Sequence, residues 1–153
     1  MKINKLSKYI NDIKFISLSN EIYELTKVLN KIYPNYYNWF YNIQIIGVKN
    51  SNRDILFIEN NNKIVSICSV KYSEKKICTL FTKEKFRRKG YASKLIDETI
   101  KILNTNKPLV TINENNLIYY QRFINKYNWE LTNIKKDLYI QGKKEYFYNE
   151  TFK

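Results

Sequence analysis

The segment that most constrains the fold runs from Lys76 to Leu103 and reads KICTLFTKEKFRRKGYASKLIDETIKIL. Its apolar part, Ile77 to Thr82, predicts a strand, and a basic turn from Lys83 to Lys89 follows. After Gly90, apolar residues recur at helical spacing, which predicts an amphipathic helix. A strand, a basic turn with a glycine and a helix together present backbone N–H groups to an anion.

The turn also carries a spaced motif. Arg87-Arg88-Lys89-Gly90-Tyr91-Ala92 fits [Gln/Arg]-x-x-Gly-x-[Gly/Ala], in a chain with only 3 glycines and a single alanine. The motif resembles the acyl-CoA pyrophosphate loop of the GNAT superfamily of N-acetyltransferases. Further segments are similar to an uncharacterised bacterial branch of that superfamily: Tyr33-Pro34, Asn38-Trp39-Phe40, Glu74 to Leu80, Lys107 to Thr111 and Lys144-Glu145-Tyr146.

Composition limits the chemistry. The 153 residues, 44% of them hydrophobic, predict a single domain over 1–153, with residues 1–11 as a polar leader or short helix. The chain has no histidine, which excludes His bases and the usual zinc sites, so we expect no metal. Cys68 and Cys78 match no redox motif and predict buried, reduced thiols. With no apolar run of membrane length and no secretory signal, we expect a cytoplasmic protein without a membrane partner.

The predicted elements follow the order β-α-α-β-β-β-α-β-α-β-β, an α/β (α+β) arrangement with a mixed central sheet flanked by helices. The order matches the GNAT fold, and the resemblance covers residues from about 12 to 150. If the turn after the second meander strand centres on Ser73, Cys68 and Cys78 lie opposite each other. The predicted strands are 13–18, 54–59, 63–72, 76–82, 109–112, 129–133 running on towards 139, and 144–148. The predicted helices begin at Ser19 or Asn20, at Asn35 with an end at Gly47, at Gly90 and at Asn115 or Asn116.

The resemblance implies where acetyl-CoA binds. Backbone N–H groups of Leu80, Phe81 and Thr82 would hold the acetyl carbonyl and pantetheine. The backbone of the turn and first helical residues would cradle the pyrophosphate, assisted by the positive end of the helix dipole. These residues are Arg87, Arg88, Lys89, Gly90, Tyr91, Ala92 and Ser93.

The catalytic residues depart from the family pattern. Where the family places a tyrosine that protonates the CoA thiolate, this chain has Ile124, so Tyr120, one turn earlier, is the best substitute and Tyr119 the second. Where some members place a glutamate base, this chain has Lys76. The nearest carboxylates, Glu59 and Glu74, are more typical of solvated turns, and we assign no base. Tyr36 and Tyr37 are the candidates for the acceptor side of the cleft.

The leading hypothesis is an N-acetyltransferase that moves an acetyl group from acetyl-CoA to a primary amine. The acceptor is a small amine, a protein amine or an aminoacyl-tRNA, and the net charge of +13 favours an acidic or nucleic-acid acceptor over a polyamine. One alternative is a non-catalytic acyl-CoA-binding module that lacks the acid and the base. A second alternative is a basic nucleic-acid-binding domain that stacks bases on its aromatic side chains. The sequence leaves open whether the chain is a monomer or a homodimer.

Overall fold

The computed structural model describes residues 1–151, which form one seven-stranded sheet with helices on both faces. The strands lie in the order β1-β2-β3-β4-β5-β7-β6. Their bounds are β1 Ile3–Lys5, β2 Arg53–Asn60, β3 Lys63–Lys71, β4 Lys76–Thr82, β5 Leu109–Asn113, β6 Leu131–Lys136 and β7 Lys144–Tyr148. Only β4 and β5 pair in parallel, as expected for two strands joined by a helical crossover.

The helices pack as two layers, one on each face of the sheet. On one face lie α1 (Lys14–Thr26), α2 (Tyr36–Trp39) and α3 (Ile46–Lys49), with a 3-10 segment at Lys27–Lys31 and a π-helical segment at Phe40–Ile45. The other face carries α4 (Tyr91–Leu103) and α5 (Leu117–Tyr127). Each face has its own buried apolar cluster, so the sheet is covered on both sides. No helix within residues 1–151 is long and apolar enough to cross a membrane.

The predicted order of elements is confirmed, but the position of its first strand is wrong. Residues 14–18 form the start of α1, with Ile13 just before it, and the first strand, β1, lies in the predicted leader, where it pairs antiparallel with β2. The buried face of α1 is Phe15, Ser19, Ile22 and Thr26, while Ile13 is 95% exposed. Two of those buried residues are polar. Their hydroxyls donate to carbonyls one turn earlier, 2.7 Å from Ser19 Oγ to the Phe15 oxygen, which hides the helical period in the sequence.

The helical segment predicted to end at Gly47 continues to Lys49. Gly47 has another role, since a Cβ on it would lie 2.6 Å from Cδ of Arg53. Any side chain at this position would therefore displace Arg53.

The predicted cross-strand pairing of Cys68 with Cys78 is also wrong. Ser69 lies opposite Thr79 and Val70 opposite Ile77, so Cys78 is the extra residue of a β-bulge in β4. Cys68 faces Leu80 instead. A bulge shifts the register by one residue and leaves no mark in the hydrophobic pattern, so a regular hairpin count could not detect it.

The last predicted strand pair is confirmed with shifted bounds. Trp129 precedes β6, and its indole N–H donates to the Asn106 carbonyl at 2.9 Å, which anchors the end of α5 to the loop after α4. The strand ends at Lys136, six residues before Gly142, whose φ of 81° lies in the left-handed region.

Candidate active site

The site is built around a gap in the sheet between β4 and β5. The two strands share only two opposed positions, Lys76 with Leu109 and Ile77 with Val110. The bulge at Cys78 follows at once in β4. Beyond it, β4 stays paired with β3, and β5 stays paired with β7. The facing edges of β4 and β5 therefore diverge and leave backbone groups available to a ligand.

A cavity of about 520 Å³ opens at this gap. It extends from the diverging part of β4 to the basic turn and the first residues of α4, and α5 forms its far wall. Eight of the ten residues that the sequence assigned to acetyl-CoA line it: Leu80, Phe81, Thr82, Arg87, Arg88, Gly90, Tyr91 and Ala92. The remaining two, Lys89 and Ser93, lie outside its lining.

The turn holds a backbone geometry that suits an anion. Arg88 and Gly90 have φ values of 62° and 88°, and a positive φ is uncommon at a non-glycine residue such as Arg88. Lys94 is the first residue of α4 whose N–H reaches a carbonyl one turn back, that of Gly90 at 3.1 Å. The N–H groups of Tyr91, Ala92 and Ser93 therefore have no acceptor within the helix and are free to bind an anion.

Arg87 is exposed, but its guanidinium folds back onto the end of β4 and stabilises the turn. Its Nε donates to the carbonyl of Thr82 at 3.0 Å, and its guanidinium lies 5.8 Å from the ring centre of Phe81. The end of β4 and the turn are thus tied together, which fixes the distance between the open strand edge and the start of α4.

The two tyrosines proposed as acids differ in environment. Both line the large cavity, but Tyr119 is 63% exposed, whereas Tyr120 is partly buried and packs against the α4–α5 core. Burial raises the pKa of the Tyr120 phenol, and Cys68, Tyr33 and Glu145 raise it further. The phenol is therefore protonated at neutral pH and available as a donor. Ile124, which occupies the family's tyrosine position, is a buried core residue.

A second, smaller cavity of about 230 Å³ lies beside the gap, on the α1–α3 side of the sheet. Cys78 and Thr79 of β4 and Thr111 of β5 line it, and an aromatic wall surrounds it: Tyr33, Tyr36, Trp39 and Tyr139. Tyr36 is buried and donates its hydroxyl to Thr26 Oγ1 at 2.8 Å. Burial raises the pKa of Tyr36 to about 12, with the Thr26 bond opposing the shift.

The two tyrosines predicted for the acceptor side are separated by the structure. Only Tyr36 reaches the second cavity. Tyr37 is 54% exposed and packs edge-on against Tyr23, with ring centres 5.2 Å apart. It lines neither cavity.

The carboxylates considered in the sequence occupy solvated positions. Glu59 is exposed near the end of β2. Glu74 pairs with Lys71, and this hydrogen bond lowers the pKa of the Glu74 carboxyl. Lys76 lines the second cavity. Within residues 1–151, no group of three or more His, Cys, Asp or Glu side chains is arranged to hold a metal ion.

The sequence reasoning missed Glu145. This residue of β7 is only 3% exposed, and within the part of the chain that the structure describes its Oε1 has no hydrogen-bond partner. It lies opposite Asn113, on the same sheet face as Thr111 and hence as the second cavity. The available signal was the alternation of Glu145 and Phe147 on one face of a strand, which puts a carboxylate at an inward-facing position.

Comparisons with known proteins agree with this geometry. A family model described as "Acetyltransferase (GNAT) domain" matches residues 36–136. The comparison with curated protein sequences gave no match.

Solved structures share the fold at low sequence identity. The aminoglycoside 6'-N-acetyltransferase from Enterococcus faecium is 9% identical, with a TM-score of 0.69 and coverage of 97% of this chain and 95% of that one. The ribosomal-protein-S18-alanine N-acetyltransferase from Escherichia coli is 9% identical, with a TM-score of 0.67 and coverage of 96% and 90%. An aminoglycoside 6'-N-acetyltransferase complexed with coenzyme A is 11% identical, with a TM-score of 0.66 and coverage of 97% and 95%.

Proposed function

The chain belongs to the GNAT acetyltransferase family, and from this premise we propose that it transfers an acetyl group from acetyl-CoA to a primary amine. The observation that carries the proposal is a single cavity that joins the open edge of β4 to the turn before α4. An extended thioester ligand whose pantetheine arm leads to a pyrophosphate needs both features in one continuous cleft.

The residues present fit acetyl-CoA. The positive φ of Gly90 and the free N–H groups at the start of α4 suit a pyrophosphate, and the positive end of the α4 dipole adds to the attraction. The open edge of β4 at Leu80, Phe81 and Thr82 suits the pantetheine and the acetyl carbonyl. The coenzyme A complex of a structural neighbour supports the same ligand for this chain.

Acetyl-CoA supplies an activated acyl group, and the chain's own residues position and polarise it. Backbone N–H groups of β4 would stabilise negative charge on the acetyl oxygen as the amine nitrogen forms its bond to the carbonyl carbon. The C–S bond then breaks, and the CoA sulfur leaves with a proton that Tyr120, which lines the cavity, would donate. Holding the two reactants in one cleft supplies much of the rate enhancement.

The structural neighbours leave the acceptor open, because one acts on aminoglycosides and another on a ribosomal protein. For this chain the acceptor remains a small amine, a protein amine or an aminoacyl-tRNA.

The test begins with calorimetric titration of acetyl-CoA into the folded protein at low salt. A panel of amines, peptides and charged tRNA is then incubated with acetyl-CoA and the protein, and acetylated products and free CoA are measured by mass spectrometry. We expect binding, and product formation that depends on both the protein and one class of amine. Absence of acetyl-CoA binding by folded protein would refute the proposal.

A further inference from the structure

The second cavity has the size and position of an acceptor site. It adjoins the larger cavity along β4, where Thr79 lines the small cavity and Leu80 lines the large one. Its volume of about 230 Å³ is below the range of pockets that enclose drug-sized ligands. It therefore suits a small molecule whose reactive end reaches through the gap.

A fixed cation lies in the wall of this cavity. The guanidinium of Arg53 lies 5.6 Å from the ring centre of Trp39, and its Nη1 donates to Cys78 Sγ at 3.5 Å. The absence of a side chain on Gly47 leaves room for it. Among the described residues, Arg53 pairs with no carboxylate, whereas Lys71 is neutralised by Glu74. Arg53 thus offers a pre-positioned fork of donors to an anion.

Glu145 lies near this cavity, behind the residues that line it. Its carboxyl is buried on the sheet face of the second cavity, with Oε1 unpartnered. An unpaired buried polar atom is costly, and in a native fold it calls for a ligand, a proton or a water. Burial raises the pKa of the Glu145 carboxyl, while Asn113 and Lys76 oppose the shift.

Charged and titratable side chains around Glu145 come from each of the elements near it. Lys76 of β4 acts on it, and it acts in turn on the phenols of Tyr33, Tyr120 and Tyr139. The cross-strand neighbour on β6 is Lys135, whose Nζ lies over the ring of Phe147 at 4.8 Å. Tyr120 lines the large cavity, and Tyr33 and Tyr139 line the small one, so Glu145 lies within electrostatic range of phenols in both.

We propose that the second cavity binds the acceptor as a small primary amine that carries an anionic group. The anion contacts Arg53, the amine lies in the gap, and Glu145 takes up the first proton that the amine loses. This inference rests on the proposed acetyl transfer. The positive net charge of the chain acts in the same direction, since it attracts an anionic acceptor.

The proton balance of the step is complete. The ammonium form of the acceptor gives one proton to the Glu145 carboxylate, through a water or the Tyr33 hydroxyl, and becomes a neutral nucleophile. Its nitrogen bonds to the acetyl carbon as the C–S bond breaks, Tyr120 protonates the departing CoA sulfur, and the second proton lost by the nitrogen returns through water to Tyr120. Glu145 then returns its proton to solvent.

The acceptor class is tested with four small amines: β-alanine and O-phosphoethanolamine, which carry an anion, ethanolamine, which is neutral, and putrescine, which is a dication. We expect kcat/KM for at least one anionic amine to exceed that for ethanolamine about tenfold or more, with putrescine lowest. In Arg53→Gln, KM for the anionic amine should rise about tenfold while KM for ethanolamine stays unchanged. If Arg53 had only a structural role, KM would rise equally for both amines, and its assignment as the anion-binding residue would be overturned.

Glu145→Gln keeps the shape of the side chain and removes its proton acceptor, and Glu59→Gln is the matched control at an exposed position. We expect kcat/KM at neutral pH to fall about 10²-fold or more in Glu145→Gln and to stay unchanged in Glu59→Gln. The deficit should shrink as the pH approaches the pKa of the amine, because the amine then arrives already neutral. An equal deficit at every pH, or none, would overturn the role of Glu145.

The outcomes separate the two levels of inference. If the protein acetylates no amine at all, the proposed function fails. If it acetylates amines but prefers ethanolamine or putrescine, or acetylates neither anionic amine, the proposed acetyl transfer stands and the proposed anionic acceptor is refuted.

Discussion

Gly90 offers the sharpest test of where acetyl-CoA binds, because a second glycine provides a control for backbone strain. Gly90 and Gly142 have φ values of 88° and 81°, and a Cβ on either would meet no heavy atom within 4 Å. Only Gly90 lines the large cavity. We compare Gly90→Glu, Gly90→Gln and Gly142→Gln with the wild type.

The stability cost should be alike at both sites. A non-glycine residue in the left-handed region costs roughly 1–2 kcal/mol, and the reduced entropy of the unfolded chain returns about 0.4–1 kcal/mol. The net loss of about 1 kcal/mol corresponds to a fall in Tm of about 2–4 °C for a chain of this length.

Binding should separate the variants. A carboxylate about 4 Å from one pyrophosphate charge costs about 1 kcal/mol in water and about 4 kcal/mol near a protein surface. The Kd for acetyl-CoA should therefore be about 5-fold to 1000-fold higher in Gly90→Glu than in Gly90→Gln. Gly142→Gln should bind as the wild type does.

Calorimetry measures the Kd values, and differential scanning fluorimetry checks that all three variants fold with similar Tm. If Gly90→Glu and Gly90→Gln bind acetyl-CoA equally, no phosphate lies beside this residue. If Gly142→Gln loses affinity as well, the effect is general strain, and the assignment of the turn is refuted.

Three further predictions follow from the same geometry. Tyr120→Phe should lower kcat about 10²-fold with little change in KM for acetyl-CoA, whereas Tyr119→Phe, at a 63% exposed position, should change neither; equal effects in steady-state assays would reject Tyr120 as the acid. Leu95→Ala, at a fully buried position of α4, should lower the free energy of unfolding by about 2–5 kcal/mol in urea titrations, and a loss below about 1 kcal/mol would contradict the packing. Because the folded-state pKa of Glu145 is raised, its contribution to stability is lost as the pH rises through that pKa. The difference between the Tm of Glu145→Gln and the Tm of the wild type should therefore increase from acidic to neutral pH. A difference that stays constant or decreases would argue against a buried, strained carboxylate.

The sequence predicted the central part of the fold well because its periodicity is strong there. The apolar stripe of α4 includes Leu95, Ile96, Ile100 and Leu103, all buried, and the strand and turn before it occur as predicted. Strong alternation and helical spacing are visible in the sequence alone, because each reflects the burial of one face of a single strand or helix.

The same pattern analysis predicted the N-terminal region wrongly, for a physical reason. Ile13 and Ile16 are 95% and 70% exposed, while Ser19 and Thr26 are buried, so the apolar pattern there contradicts the burial. The strand β1 has three residues, Ile3–Lys5, which is too short to produce a period. Tertiary packing decides the structure of such segments, and the sequence of the segment does not.

The backbone part of the candidate site could be predicted from the sequence, whereas the side-chain part, Glu145 above all, could not. The turn motif depends on glycine at a position of positive φ, which is a local requirement that a short string of residues can express. Glu145 is different, because its importance depends on burial between β5, β6 and residues 33 and 120, which lie far apart in sequence. The local alternation with Phe147 predicts that Glu145 faces inward, but it does not show which side chains surround the carboxylate.

The gap between β4 and β5 explains why these features are found together. Ending the ladder after Ile77 and Val110 leaves backbone hydrogen bonds unmade, each worth about 0.5–1.5 kcal/mol. The sheet tolerates this loss because β3 and β7 still hold the outer edges of β4 and β5, and buried clusters pack on both faces. The groups left unpaired become the ligand site, where the large cavity extends from α5 past the gap to Val28, Leu29 and Ile32, and the small cavity lies beside it on the α1–α3 side. The two reactants can then meet at the gap, and the extra residue, Cys78, marks the point in the chain where β4 separates from β5.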